Sequence, residues 1–245
     1  MKEWIMGRNA VYETLRAGRR NVHRLKLAEA LQPATRLQQI VELAKAKNIA
    51  AETSPRRELD ALGDHNQGVA MQVDEYPYSH LAQLLENAHK SSRPPFFLLL
   101  DALQDPQNLG TLLRTAEAVG IHGVVMPQRR AAAVTPAVVS ASSGACEHLL
   151  IAQHNLAQAI DEMKRANIWV IGLEGGQEGQ PPGQVRLDGA LALVVGSEGE
   201  GMHRLVRESC DLLLRLPMQG QVESLNAAVA GSIALYMAWQ ARGFA

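Results

Sequence analysis

Continuous apolar runs alternate with helical periodicities along most of the chain. Runs short enough for buried strands stand at 22–28, 49–53 and 69–73. Between them Leu37, Ile40, Val41 and Ala44 recur at i, i+3, i+4 and i+7, the spacing of one helix face. Residues 1–73 are therefore expected to form a small α/β unit, with the polar turn of HNQGVAM (65–71) ahead of its last strand. Residues 74–95 change character. They hold Tyr76-Pro77, a short helical pattern over 79–88 and the polar, proline-ended tract KSSRPP (90–95), which reads as a hinge.

Beyond the hinge the pattern becomes regular. FFLLLD (96–101), GVVM (123–126), IWVIGL (168–173), LALVVG (191–196) and LLLRLP (212–217) are unbroken apolar runs, as expected of strands covered on both faces. Helical segments separate them; Leu109, Leu112, Leu113, Ala116 and Val119 mark one face of a helix over 108–119. Strands alternating with helices predict a mostly parallel α/β sheet. The expected division is 1–73, a linker over 74–95, and a second domain over 96–245. In the last helix Val229, Ile233, Tyr236 and Trp239 are expected to face the core, with Ser224 or Asn226 as its cap.

Composition narrows the class. With 47% hydrophobic and 20% charged residues, the 245-residue chain reads as an ordinary globular protein rather than a disordered or fibrous one. No apolar run approaches the ~20 residues of a membrane span. The opening MKEWIMGRNAVYETL is interrupted by charge and reads as an amphipathic segment rather than a signal peptide. A cytoplasmic address and no membrane partner are the expectations. Cys146 and Cys210 are too few for a disulfide framework and read as buried free thiols, and eight histidines without an HxxxH or HExxH pair give no metal site. The net charge of −1 hides an asymmetry: residues 1–73 carry 12 Lys and Arg against 8 Asp and Glu, whereas 95–245 carry 10 against 14. The front part is the better candidate for touching a polyanion.

Ligands of parallel α/β sheets bind outside the carboxyl ends of the strands. Three loops leave such ends: DALQDPQNLG (101–110), VGSEGEG (195–201) and LPMQGQVESLN (216–226). They are expected to converge on one site. The spacing Gly196-x-x-Gly199-x-Gly201 does not match the dinucleotide fingerprint, and no Lys-Ser/Thr follows to make a nucleotide-triphosphate loop. A tight turn with carboxylates at a helix start is the local alternative. In DPQNLGTLLRTA, Asp105-Pro106 opens a turn and Asn108 is the candidate helix cap. Arg114 lies one residue off the apolar face, near a helix start where a cation is mildly unfavourable. Its five donors suit an RNA phosphate or ribose, with pairing to Glu117 at i+3 as the structural alternative. Capping explains one of Ser224 and Asn226; ligand contact at the mouth of a strand-end cleft suits the other.

Taken in order, NLGTLLRTA (108–116), LVVGSEGEGM (193–202) and LPMQGQVESLNAAVA (216–230) resemble the three motifs of the SpoU/TrmH class of SPOUT RNA 2′-O-methyltransferases. SSGACEHL (142–149) resembles the stretch between its first two motifs, and the likeness covers nearly all of 95–245. Residues 1–73, from IMGRNAVYETL to NQGVA, resemble the small ribosomal-protein-like α/β substrate-binding domain that precedes this catalytic domain. Two positions depart from the pattern: Asn66 stands where His is usual before Gln-Gly, and Ala228 where Ser is common after Ser-Leu-Asn. The resemblance implies a C-terminal trefoil-knotted methyltransferase domain, a homodimer whose active site uses both subunits, and S-adenosylmethionine as cofactor. By the same resemblance, Gly196, Leu216 and Leu225 hold the cofactor through backbone groups and apolar contact, with Pro217 and Met218 shaping the pocket. Arg114 acts on the 2′-hydroxyl while Asn108, Glu198, Ser224 and Asn226 organise the site. The two-domain architecture is most similar to enzymes that methylate a guanosine 2′-hydroxyl in large-subunit (23S) ribosomal RNA; a transfer-RNA enzyme of the same class and a non-catalytic RNA-binding assembly factor are the alternatives.

Overall fold

A computed structural model describes residues 2–29, 34–129, 131–176, 178–221 and 224–244. In chain order the first elements are β1 (Lys2–Met6), α1 (Arg8–Ala17), β2 (Val22–Ala28), α2 (Thr35–Ala46), β3 (Ala51–Ser54), α3 (Arg56–Asp60) and β4 (Val69–Asp74). Then come α4 (Leu81–Lys90), β5 (Phe96–Leu100), α5 (Pro106–Ala118), β6 (Gly123–Met126), α6 (Pro136–Ala141), β7 (Ile151–Gln153) and α7 (Leu156–Arg165). The last are β8 (Trp169–Leu173), β9 (Leu191–Val195), α8 (Arg204–Ser209), β10 (Leu212–Leu214) and α9 (Ala227–Ala241). These elements form two compact units. One runs to Pro77 and takes in Val134–His148; the other comprises Tyr78–Ala133 and Leu149–Ala245.

The first unit is built on a four-stranded sheet of order β1-β4-β2-β3, with β4 antiparallel to both neighbours and β2 parallel to β3. The opening segment, which sequence alone reads as amphipathic, is the edge strand β1. Five consecutive pairs from Lys2↔Asp74 to Met6↔Ala70 fix it, and Ile5 is its fully buried residue. On α2, Ile40 and Ala44 are buried but Val41 is 40% exposed, because it stands at one edge of the arc that the four apolar positions span. Asn66, the departure from the family pattern, is buried. Its side chain donates to Asp60 Oδ1 at 2.9 Å and Gly63 O at 3.2 Å and accepts from the Gly68 amide at 2.9 Å, so the turn before β4 is fully bonded with asparagine in place.

Residues 134–148 fall within the second half of the sequence, yet they pack in the first unit. A Cβ added at Gly144, whose φ is +86°, would sit 2.6 Å from Glu13 Cβ, so the turn lies directly against α1. Three residues on, Glu147 and Arg20 form an ion pair with both side chains fully buried, through Nε to Oε2 at 3.1 Å and Nη2 to Oε1 at 2.6 Å. Arg20 also reaches Glu3 at 3.1 Å, and the Tyr76 hydroxyl donates to Cys146 O at 3.1 Å. Of the two thiols, Cys146 is buried and Cys210 half-buried; burial pushes each up to about 12, so both are protonated and inert at neutral pH.

The second unit carries a six-stranded, wholly parallel sheet of order β10-β8-β9-β5-β6-β7. All five apolar runs read from the sequence supply strands. The sixth, β7, has only three residues, too few for a periodicity to register, and the run at 212–217 ends as a strand at Leu214. From β5 the chain winds outward through β6 to β7, while β9, β8 and β10 lie on the other side. The winding therefore reverses between β5 and β9, and at such a switch point the two strand-end loops part to leave a crevice.

Candidate active site

The loops after β5 and β9 and the segment before α9 meet in the second unit. Asp105, not Asn108, caps α5: its carboxylate accepts from the amides of Gln107 at 3.1 Å and Asn108 at 3.3 Å, and Pro106 occupies the first helical position. Asn108 is displaced into the first turn by that arrangement, which frees its side chain for tertiary contact. Asn226 caps α9, accepting from the amides of Ala228 at 2.9 Å and Val229 at 3.1 Å. With its oxygen committed to the helix, its amide group must point outward as a donor.

Glu198 stands in a folded-back loop. Ser197 and Gly201 exchange backbone hydrogen bonds at 2.9 and 3.1 Å, and a Cβ on Gly196 would lie 2.3 Å from the Gly201 carbonyl carbon. Only glycine at 196 lets the loop close on itself; Gly201, at φ +68°, supplies the left-handed return. The side chains then interlock. Asn108 Nδ2 donates to Glu198 Oε1 at 3.1 Å, and Asn226 Nδ2 donates to Asn108 Oδ1 at 3.0 Å and to Glu198 Oε1. Both amide donors converge on one carboxylate oxygen, at the start of two helices whose dipoles favour an anion. Asn226→Ser keeps a good cap and should hold stability within about 0.5 kcal/mol, whereas Asn226→Ala should cost about 1 kcal/mol; thermal unfolding of the two variants separates capping from the network.

The remaining candidates lie on the segments that follow β5, β9 and β10. Ser224 and Leu225 are exposed immediately before Asn226, Leu216 and Gly196 are covered to different degrees, and Pro217 and Met218 are exposed beyond β10. Val222 and Glu223 lie outside the described residues. Arg114 is exposed on α5, six residues from Asn108. Six residues turn a helix by about 240°, so the two side chains leave different faces. Ala228, the second departure, is buried, and its amide is the one Asn226 caps.

The last helix corrects an expectation. Val229, Ile233 and Tyr236 are 46%, 40% and 47% exposed, while Ala227, Ala228, Gly231, Ala234, Leu235 and Ala238 are buried. The helix is apolar on every side, so periodicity cannot choose its inner face. Close packing chooses the small residues: a Cβ on Gly231 would meet Leu112 at 2.8 Å and Val195 at 3.1 Å, and Thr115 bonds Ser232 at 2.8 Å.

Sequence reading missed two residues beside the network, Asp101 and His203. Buried Asp101 follows β5; its amide donates to Val195 O at 2.8 Å, and its carboxylate accepts from the His203 amide at 2.6 Å and meets His203 Nδ1 at 2.9 Å. The far end of the Glu198 loop is thereby tied to the strand beside it. A lone carboxylate closing the apolar run FFLLLD was the available signal.

Comparison with known proteins agrees with this geometry. The SpoU rRNA methylase family profile matches residues 95–236, and a profile described as RNA 2′-O ribose methyltransferase substrate binding matches 4–79. A Bacillus subtilis protein named as a TrmH family tRNA/rRNA methyltransferase is 45% identical over 250 residues, spanning 98% of this chain and 96% of its own. A Staphylococcus aureus protein of the same family name is 39% identical over 240 residues, spanning 97% and 96%. In fold, the chain is similar to the SpoU methyltransferase AviRb from Streptomyces viridochromogenes, solved with AdoMet, at TM-score 0.80 and 23% identity over 100% of this chain and 92% of that one. With its strand-end loops converging as the motifs require and both profiles matched in order, the chain belongs to the SpoU rRNA methylase family.

Proposed function

We propose that this protein is a cytoplasmic enzyme that transfers the methyl group of S-adenosylmethionine to the ribose 2′-oxygen of a guanosine in large-subunit (23S) ribosomal RNA. The observation that carries the reading is the interlocked Asn108, Glu198 and Asn226, drawn from three separate strand-end loops. Such a network has no need of three loops if its task is to cap helices. An RNA substrate is supported by the substrate-binding match over 4–79 and by the excess of cations in residues 1–73, and the ribosomal choice follows the rRNA methylase description of the family matched over 95–236.

The donor set suits this cofactor. Bound S-adenosylmethionine supplies an electrophilic methyl group on a cationic sulfonium and brings no phosphate. The acidic loop of Glu198 and Glu200 is compatible with such a cation, and Met218 and Leu225 offer exposed apolar surface near Gly196 and Leu216 for the rest of the molecule. Pro217 and Ser224 complete the two segments that would hold it. Glu198, Asn108 and Asn226 keep the loops in register and orient the ribose. Arg114 stabilises negative charge as it develops on the 2′-oxygen; a guanidinium does not give up its proton in a protein, so it is not the general base.

The exposed stripe of Val229, Ile233 and Tyr236 supports a homodimer, since a row of apolar side chains on one helix face is best covered by a second copy of the same face. Ile233→Asp is expected to shift the protein to a monomer in sedimentation equilibrium. The activity itself is tested by incubating the protein with labelled methyl donor and separated ribosomal and transfer RNAs, then mapping the modified 2′-oxygen. Label in a 23S guanosine is the expected result. Label in transfer RNA alone overturns the substrate, and no label in any RNA leaves a non-catalytic RNA-binding protein.

A further inference from the structure

A cavity of about 240 Å³ opens in the second unit, at the carboxyl ends of β5 and β6 and the starts of α7 and α8. Leu156, Ala157 and Val206 form apolar walls, Asp101 lies among them, and Arg129 and His203 line the mouth. The same two loops build both places. Residues 101–108 carry Asp101 to the cavity and Asn108 to the network, while 196–203 carry His203 to the cavity and Glu198 to the network.

We infer that this cavity receives the guanine base of the nucleotide whose ribose is methylated. The inference rests on the proposed activity and deepens it. Apolar walls suit a planar ring, and the buried carboxylate of Asp101 sets which ring. Each of its oxygens takes one bond from His203, at 2.6 and 2.9 Å, and an ionised carboxyl has about four acceptor positions, so acceptor capacity remains. A carboxylate cannot donate. Guanine alone among the four bases presents two adjacent donors, N1–H and the 2-amino group, on one edge; adenine and cytosine place an acceptor there, and uracil flanks its single N–H with carbonyls. Arg129 and His203, exposed at the mouth, complement the phosphate that accompanies any base in a strand. Asp101 is thus assigned a role in specificity in addition to anchoring the Glu198 loop.

The test uses the full chain, labelled S-adenosylmethionine and synthetic RNA bearing the mapped target, with guanosine or inosine at that position. Inosine lacks only the 2-amino donor. The native protein should lose about 10-fold or more in kcat/KM on inosine RNA. Asp101→Asn keeps an acceptor oxygen for His203 but mixes a donor into the edge, and should bring the guanosine-to-inosine ratio close to one, a comparison internal to each protein and insensitive to its overall activity. Ala157→Trp fills the cavity from its α7 side, away from the network, and should raise KM for guanosine RNA about 10-fold with the affinity for S-adenosylmethionine unchanged. Equal rates on the two RNAs with native protein, an unchanged KM in Ala157→Trp, or a target other than guanosine overturns the assignment and leaves the methyltransferase reading intact. Absence of any methyl transfer by the native protein overturns both.

Discussion

Replacing Arg114 by alanine is expected to abolish methyl transfer to RNA, lowering kcat by about 10²-fold or more, while the affinity for S-adenosylmethionine stays near its native value. The magnitude follows from the role: a fixed cation or donor aimed at developing oxygen charge contributes on the order of 10²–10³ in rate. Position argues for such a role. Arg114 is an exposed cation in the body of α5, and burial of Leu112, Leu113 and Ala116 around it already accounts for the packing of that helix. Arg114→Lys keeps a positive charge but loses the planar fork, so it should recover only part of the activity. Single-turnover methyl transfer and equilibrium dialysis of the cofactor measure the two quantities; full turnover by Arg114→Ala removes the residue from the mechanism. Because Arg114 and Asn108 leave different faces of α5, the proposed homodimer, if its subunits share a site, has a further signature. Mixed Arg114→Ala and Glu198→Ala proteins should regain activity neither has alone, and mixtures that stay inactive count against a shared site.

Glu147→Gln is expected to lower the stability of the first unit by about 3–5 kcal/mol, the cost of leaving one member of a buried ion pair without its counter-charge. The Arg20 side chain is fully buried, and after the substitution Glu3 at 3.1 Å, itself partly exposed, is its one remaining anionic partner among the described residues. The matching control is Arg24→Gln, which breaks a surface pair of similar length, 2.7 Å to Glu52, with both side chains about half exposed. It should cost far less, since solvent already screens that pair. Urea unfolding followed by a probe in the first unit distinguishes the two. A loss for Glu147→Gln no larger than for Arg24→Gln would refute the assignment. Replacing Arg20 and Glu147 together by leucine should restore much of the stability, because the penalty lies in the unpaired charge rather than in the missing bond.

These two residues also mark what a sequence hides. Arg20 and Glu147 are far apart in the chain, with no periodicity to mark either as buried, and in sequence order the segment around Glu147 falls between β6 and β7. Helix caps were similarly undecided. Asn108 is the α5 cap expected from the sequence, yet Asp105 takes that place, and Asn226 rather than Ser224 caps α9; local chemistry allows each, and only the tertiary structure selects among them.

Sequence by itself determined the strands whose apolar runs are covered on both faces, the alternation that makes the larger sheet parallel, and the three loops that leave its carboxyl ends. Those features follow from local periodicity and from the handed, short connections between neighbouring elements, which residue order records directly. It also placed Asn108, Glu198 and Asn226 in motifs of the right order. Tertiary structure alone decided that these three interlock, that Asp101 ties the Glu198 loop to β5 and lines a cavity, and that α9 turns its alanines and Gly231 inward while Val229, Ile233 and Tyr236 remain exposed. Each of those outcomes depends on the distance between backbones brought together from different parts of the chain. On an all-apolar helix or beside a glycine turn, that distance, rather than hydrophobicity, determines which side chain fits.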